Sequence, residues 1–340
     1  MLIPPTTVTD DLQQAFLLGP CESFLRQSGK RIREAMLRGG YAMAGGAGDP
    51  PAALIDSIEC LHAGSLVIDD IQDDSPVRRG QPAMHAQIGV PLAINAGNWM
   101  YFRALEQISS SDLPPARRGQ LLSLMVSAGR RCHEGQALDL AAKLSEVPMA
   151  NWSAVATRIS RDKTGCLVSL AMSMGAIAAG ARGPLLRVIG RFAYRCGMTL
   201  QMRNDLEELR QLAALTPAET PPAHALRCDD LRHERITWPW VWAQRLDTAW
   251  TVSELAKLKT RRRSDNSWDT QSNLQGIAHD LVSRVGQAAD RLIKHRIDKQ
   301  IRLLSEHIVD RDALANLRHS LHPIAVPTRQ SISVSPGGDD

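Results

Sequence analysis

The chain has 340 residues, enough for one large domain or two small ones. Hydrophobic residues make up 44% and charged residues 22%, as in an ordinary globular protein, and a formal net charge of +4 is too small to argue for a nucleic-acid partner. Six irregularly spaced cysteines contain no C-x-x-C pair, which argues against a zinc module or a disulfide framework and predicts free thiols in a reducing compartment.

Residues 1–8, with Pro4, Pro5 and two threonines, read as a flexible lead-in. The first residues lack the charged start and apolar stretch of a signal peptide. No window approaches the ~18 consecutive apolar residues of a membrane span. The expectation is a cytoplasmic protein. Strand signals are scarce, with aromatics at only 4%. Apolar residues instead recur at three- and four-residue spacing over 52–74, 92–108, 121–144, 152–180 and 185–212. Turn chemistry separates these stretches: Gly45-Gly46 with Pro50-Pro51, then 109–115, 146–148 and 216–222. The pattern predicts an all-α, single-domain bundle of about ten long helices over 9–322 around a central cavity. The basic run Lys257, Lys259, Arg261, Arg262 and Arg263 reads as a solvated face that leads into a polar loop or exposed linker through Ser272. A last helical region covers 277–320, and the Pro- and Ser-containing tail 323–340 reads as disordered.

The first chemical signal ends the 52–74 stretch. Asp69 and Asp73 are four apart and share one helical face, with Asp70 and Asp74 beside them. Like charges at this spacing repel, and the negative end of a helix dipole disfavours acids. A cation explains them. Mg²⁺ prefers oxygen, taking one or two carboxylates plus substrate phosphates. Pro76 stops the helix, and Arg78 and Arg79 follow, where guanidinium forks suit a diphosphate.

This run, D-D-x-x-D-x-x-x-x-R-R-G from Asp69 to Gly80, resembles the first aspartate-rich motif of the trans-isoprenyl diphosphate synthases, the polyprenyl synthetase family. His85 and Gly89 follow at the family spacing. The resemblance runs from about Gly29 to Ala243 and is closest in pattern to geranylgeranyl diphosphate synthases. Gly29-Lys30-Arg31-Ile32-Arg33 resembles the family's G-K-R-x-R, and His62 stands seven residues before Asp69. The resemblance implies that Lys30, Arg33, His62 and Arg79 bind isopentenyl diphosphate. Gln136 and Asp139 resemble the G-Q-x-x-D segment, and Lys163-Thr164-Gly165 the K-T-G segment, whose Lys and Thr positions contact the allylic diphosphate together with Arg78. The second cluster, Gln201-Met-Arg-Asn204-Asp205-Leu-Glu207-Glu208, departs from the family's Q-x-x-D-D-x-x-D at Asn204 and Glu208. A neutral amide at Asn204 weakens metal binding, and Glu208 keeps its charge on a longer arm. Asp230…Arg235-Ile-Thr237-Trp-Pro239 looks like D-x-x-x-x-K-x-T-x-P, with Arg235 in place of Lys and implied to bind the allylic diphosphate.

The resemblance implies an isoprenoid synthase fold and a homodimer. It implies three Mg²⁺ per active site, held mainly by Asp69, Asp73 and Asp205, with Asp70, Asn204 and Glu208 in support. The implied reaction joins isopentenyl diphosphate to a C5 to C15 allylic diphosphate, and the catalytic residues are Asp69, Asp70, Asp73, Lys163 and Asp205. Ser65 and Gly64, four and five residues before Asp69, are small where family members that stop at C15 commonly carry aromatics, which points to a C20 product. Two other readings stand beside this one. Asn204-Asp205 begins the N-D-x-x-S-x-x-x-E of class I terpene cyclases, but Glu208 and Leu212 replace its Ser and Glu. The altered second motif also suits a non-catalytic regulatory subunit.

Overall fold

The computed structural model describes residues 7–27, 31–215, 228–264, 271–308 and 310–326. Lys30, the turn expected at 216–222, residues 265–270 and the tail beyond 326 lie outside the described residues, as do residues 1–6 of the lead-in.

Helices dominate. α1 (Thr7–Gln13) continues through a π-helical turn into α2 (Gly19–Arg26). α3 (Ile32–Met43) and α4 (Ala52–Gln72) follow, and α4 ends where the aspartates begin to crowd its C-terminus. A two-residue ribbon, β1 (Val77–Arg78) with β2 (Gln81–Pro82), comes next. Arg79 and Gly80 turn it with φ of 55° and 76°. Paired positive φ values are those of a tight hairpin turn, and a non-glycine residue held there costs roughly 1–2 kcal/mol. α5 (Met84–Ile88), α6 (Val90–Ser109) and α7 (Pro115–Ala141) follow.

The 152–180 stretch is not one helix. It is α8 (Trp152–Ile159), a π-helical turn over Ser160–Gly165, and α9 (Cys166–Ala179). Buried Asp162 is held in that turn by the guanidinium groups of Arg158 and Arg161, both of which pair with it. A π-turn inserts one extra residue without a Gly or Pro signal, so a 3.6-residue period does not reveal it. α10 (Gly183–Ala213), α11 (Asp229–Arg232) and α12 (Trp238–Leu246) complete the middle of the chain. The basic run lies within α13 (Thr248–Ser264). Lys and Arg are good helix formers, and charge alone does not end a helix. The last helical region is two helices, α14 (Gln271–Ser305) and α15 (Arg311–Ala325). The Asp310 carboxylate accepts the Ala313 N–H at 2.9 Å and caps α15.

α9 is buried along nearly its whole length, as a helix apolar on all sides requires. With α3, α4, α6 and the first half of α10 it builds one core. A second core joins the end of α10 to α12 and α14 and is rich in tryptophan: Trp152, Trp238, Trp240 and Trp242. The cavity opens between these two cores. No helix among the described residues is long and apolar enough to cross a membrane.

Candidate active site

A cavity of about 640 Å³ is lined by α4, α6, α7, the π-turn, α10 and the start of α12. That is within the usual range for a ligand pocket. Both acidic motifs face it, although about 135 residues separate them.

The first motif comes with fixed cations. Lys163 Nζ lies 2.9 Å from Asp139 Oδ2 and 3.2 Å from Asp69 Oδ1. Gln136 Nε2 donates to the same Asp69 oxygen at 2.8 Å and to Gln72 Oε1 at 2.9 Å. Gln136 and Asp139 thus share one face of α7, as their spacing predicts. Arg78 Nε donates to Asp70 Oδ1 at 2.7 Å, and the buried Asp70 Oδ2 has no partner. Arg235 pairs with Asp73. Arg235 is not itself on the cavity wall; it reaches the site through that carboxylate.

These pairs set the charges. Burial raises Asp69, but Lys163 and Arg78 outweigh it and hold the carboxyl below its ordinary value. Burial pushes Asp73 up to about 6, with Asp69 adding and Arg235 opposing. Burial also raises Asp70 against the pull of Arg78. Burial opposes the charge on Lys163, yet Asp139 and Asp69 raise it well above the usual lysine range, so it stays cationic.

The second motif has a different setting. Thr164 donates its hydroxyl hydrogen bond to Gln201 Oε1, and Gln201 Nε2 donates to Asp205 Oδ1 at 2.7 Å. The Trp238 backbone N–H, at the start of α12, donates to Asp205 Oδ2 at 3.0 Å. The Trp238 indole N–H in turn donates to Ser160 Oγ at 2.7 Å. Among the described residues no ion pair reaches Asp205 or Glu208. Burial raises Asp205 to about 6, and burial raises Glu208 to about 7 with Asp229 and Asp205 adding. Asp230 goes well above the usual carboxylate range through burial and then Glu208 and Asp205.

A smaller cavity of about 460 Å³ adjoins the first. Arg33, His62, Arg79 and Arg78 line it, and so does exposed Asn204, which faces both cavities. The hairpin turn separates its two arginines: Arg78 points to Asp70, while Arg79 Nη1 donates to the Gln27 carbonyl at 3.0 Å. Burial lowers Arg33 to about 10, partly opposed by Glu59. Burial, then Arg33 and Arg79, keep His62 well below its ordinary value and therefore neutral. Arg33 Nε and His62 Nδ1 are buried without partners.

Hard oxygen donors on both sides of one cavity, Asp69 and Asp73 facing Asn204, Asp205 and Glu208, suit a divalent cation such as Mg²⁺, whereas Asp70 is fully buried and does not reach the cavity wall. Among the described residues, no three carboxylates converge into a cage that would hold a metal unaided. That fits an ion whose remaining ligands are phosphate oxygens.

Sequence reasoning missed Gln72, Glu59, Asp229 and Ser160, which carry no spacing signal of their own. It also misread Gly64. A Cβ there would lie 2.7 Å from the Gly97 carbonyl oxygen and 3.1 Å from Tyr101, so the residue is small because α6 packs against it. Only Ser65 of that pair lines the cavity, whose apolar end is formed by Tyr101, Leu105, Met125 and His133.

Residues 14–272, more than half of the chain, match the family described as polyprenyl synthetase. The chain belongs to the polyprenyl synthetase family. Its sequence is 33% identical over 210 residues to the farnesyl diphosphate synthase of Escherichia coli (strain K12), covering 59% of this chain and 66% of that protein. The chain spans about three fifths of the length of the curated relatives it matches. The fold is that of geranylgeranyl pyrophosphate synthetase from Pyrococcus horikoshii Ot3, at TM-score 0.73 and 24% identity over 91% of this chain and 90% of that one. It is likewise that of a polyprenyl synthase from Caulobacter crescentus CB15 crystallised with calcium and isoprenyl diphosphate, at TM-score 0.71 and 21% identity over 96% and 91%. The all-α architecture expected from the apolar periodicity is the architecture of this family's solved structures.

Proposed function

We propose that this chain condenses isopentenyl diphosphate head to tail with an allylic diphosphate, releasing diphosphate and an all-trans C20 prenyl diphosphate. The observation that carries the reading is the shape of the main cavity. Carboxylates and cations crowd one end, and apolar side chains form the other. A diphosphate with a hydrocarbon tail has that same division.

In this reading Asp69, Asp73 and Asp205 hold Mg²⁺, with Asp70, Asn204 and Glu208 in support and three ions per site, as in the family resemblance. The bound metal supplies positive charge at the oxygens of the departing diphosphate. Lys163 and Arg78 add fixed positive charge, and Thr164 and Gln201 orient the allylic group. Arg235 acts through Asp73. Arg33, His62, Arg79 and Lys30 bind isopentenyl diphosphate in the adjoining cavity, where the buried Arg33 Nε and His62 Nδ1 find partners. The apolar walls keep water from the allylic cation while the double bond of isopentenyl diphosphate attacks it, and the proton then lost goes to the departed diphosphate. Tyr101, Leu105, Met125 and His133 bound the growing tail, and Ser65 leaves space beside them. The exposed apolar Phe102 and Val126, on the adjacent helices α6 and α7, suit a homodimer interface. The protein would work in the cytoplasm.

Incubating the purified protein with Mg²⁺, isopentenyl diphosphate and, separately, C5, C10 and C15 allylic diphosphates tests the reading by mass spectrometry of the products. A linear C20 diphosphate is expected. A cyclic hydrocarbon from an allylic diphosphate alone would replace the reading with a cyclase, and no turnover without a partner chain would replace it with a regulatory subunit.

A further inference from the structure

Cys132 on α7 and Cys166 at the start of α9 lie with their sulfurs 3.1 Å apart. All six cysteines of the chain are free thiols. The two backbones meet closely here. One turn along α7 from Cys132, a Cβ on Gly135 would lie 2.8 Å from the Lys163 nitrogen and 2.9 Å from the Asp162 carbonyl carbon. Cys132 lines the main cavity, so a small solute reaches its sulfur from the substrate side. Cys166 is buried behind it, its sulfur 2.6 Å from the Asp162 carbonyl oxygen. A disulfide of about 2.05 Å requires the sulfurs to close by roughly 1 Å.

We propose that Cys132 and Cys166 are a peroxide-responsive thiol pair whose oxidation to a disulfide reversibly disables the active site. The Cys132 sulfur attacks one peroxide oxygen, the O–O bond breaks, water leaves and a sulfenic acid forms. The Cys166 sulfur then attacks the sulfenic sulfur, and the S–S bond forms as a second water leaves. The two sulfurs are oxidised, the peroxide is reduced, and the thiol protons end in the two waters. Transient disulfides of this kind are compatible with a reducing compartment. The cross-link ties α7, which carries Gln136 and Asp139, to the first residue of α9, directly after the π-turn that carries Lys163 and Thr164. Drawing that turn inward displaces Lys163 from the point where it bridges Asp69 and Asp139.

The consequence for turnover rests on the prenyl transfer proposed above; the cross-link itself does not. The full-length protein is treated with hydrogen peroxide, alkylated and digested without reductant. A peptide joining Cys132 to Cys166 is expected by mass spectrometry. Turnover is expected to fall ~10- to 100-fold, since misplacing reacting groups by about 1 Å has that effect. Dithiothreitol restores turnover and removes the joined peptide. Cys132→Ala, which lacks the thiol that peroxide meets first, forms no joined peptide and loses less turnover to peroxide than the unaltered chain. The proposal is overturned if the unaltered protein yields no joined peptide, or if the peptide forms while turnover holds. It is equally overturned if Cys132→Ala loses as much turnover to peroxide as the unaltered chain. A protein inactive before any treatment counts against the prenyl-transfer reading instead, and the joined peptide then decides the thiol pair alone.

Discussion

The two acidic motifs face one cavity, yet the protein treats them differently. Three aspartates of the first are each matched to a fixed cation: Asp69 to Lys163, Asp70 to Arg78 and Asp73 to Arg235. The second motif has neutral donors instead. The Gln201 amide and the Trp238 N–H serve Asp205, and Asn204 carries no charge. The first cluster is therefore held in place by protein electrostatics before any ligand arrives. The second gathers buried carboxyl groups, Asp205, Glu208 and Asp230, whose proton affinity rises because burial outweighs the donors around them, the more distant charge of Lys163 opposing it only in part at Asp205 and Asp230. One site is preorganised, and the other is tuned by what binds to it.

Breaking the preorganised side should have the largest effect. Asp69→Ala leaves Lys163 and Gln136 without their shared acceptor and is expected to lower kcat by ~10³-fold, as loss of a key electrostatic group does. Steady-state turnover measures this, and circular dichroism should show the helical content retained. A loss no larger than that of Asn204→Ala would remove the distinction between the clusters.

The uncompensated side should appear next, as a dependence of stability on pH. Folded Asp205 and Glu208 keep their protons up to about 6 and about 7, above their ordinary 3.8 and 4.5. The folded state thus binds more protons than the unfolded chain between these limits, and stability falls as pH rises. No such penalty exists below about 4, and it is complete above about 7. Urea unfolding of metal-free protein should show the decline, and Asp205→Asn should relieve ~3 kcal/mol of it at pH 8. A flat stability profile for the unaltered protein would mean that water or a cation already serves these groups.

Restoring charge sharpens the comparison further. Asn204→Asp should lower the Mg²⁺ concentration for half-maximal calorimetric binding, measured with inorganic pyrophosphate present, by about tenfold, because ligand charge count sets affinity for hard cations. An unchanged value would mean that Asn204 does not contribute to the metal site. The smallest effects belong to the apolar end. Ser65→Phe should shorten the product by one five-carbon unit, read by mass spectrometry. Gly64→Ala should instead destabilise the α4–α6 contact by about 1–3 kcal/mol, read as a lower Tm with product length unchanged.

Much of the site was legible because its chemistry is local. Asp69 and Asp73 are four apart on one helix, Gln136 and Asp139 three apart on another, and helical geometry puts each pair on one face. The π-turn at Ser160–Gly165 was not legible, because it inserts a residue into an otherwise regular apolar run. The hairpin at Arg78-Arg79-Gly80 was not either. A positive φ at an arginine is decided by what its neighbours hold in place, here Asp70 on one side and the Gln27 carbonyl on the other. Gly64 was legible as small but not for the right reason, since spacing from Asp69 does not say which helix will press against it.

By itself, residue spacing determined the all-helical class, the two acidic motifs and the basic pairs beside them. Those properties depend on contacts within a few residues along one helix, where 3.6-residue periodicity governs which side chains meet. The tertiary structure decided which cation serves which carboxylate, that Arg235 works through Asp73, that Asn204 faces both cavities, and that Cys132 meets Cys166. Apart from Arg78 with Asp70, these join residues tens to more than a hundred positions apart, so they depend on how helices pack and on the low-dielectric space between them.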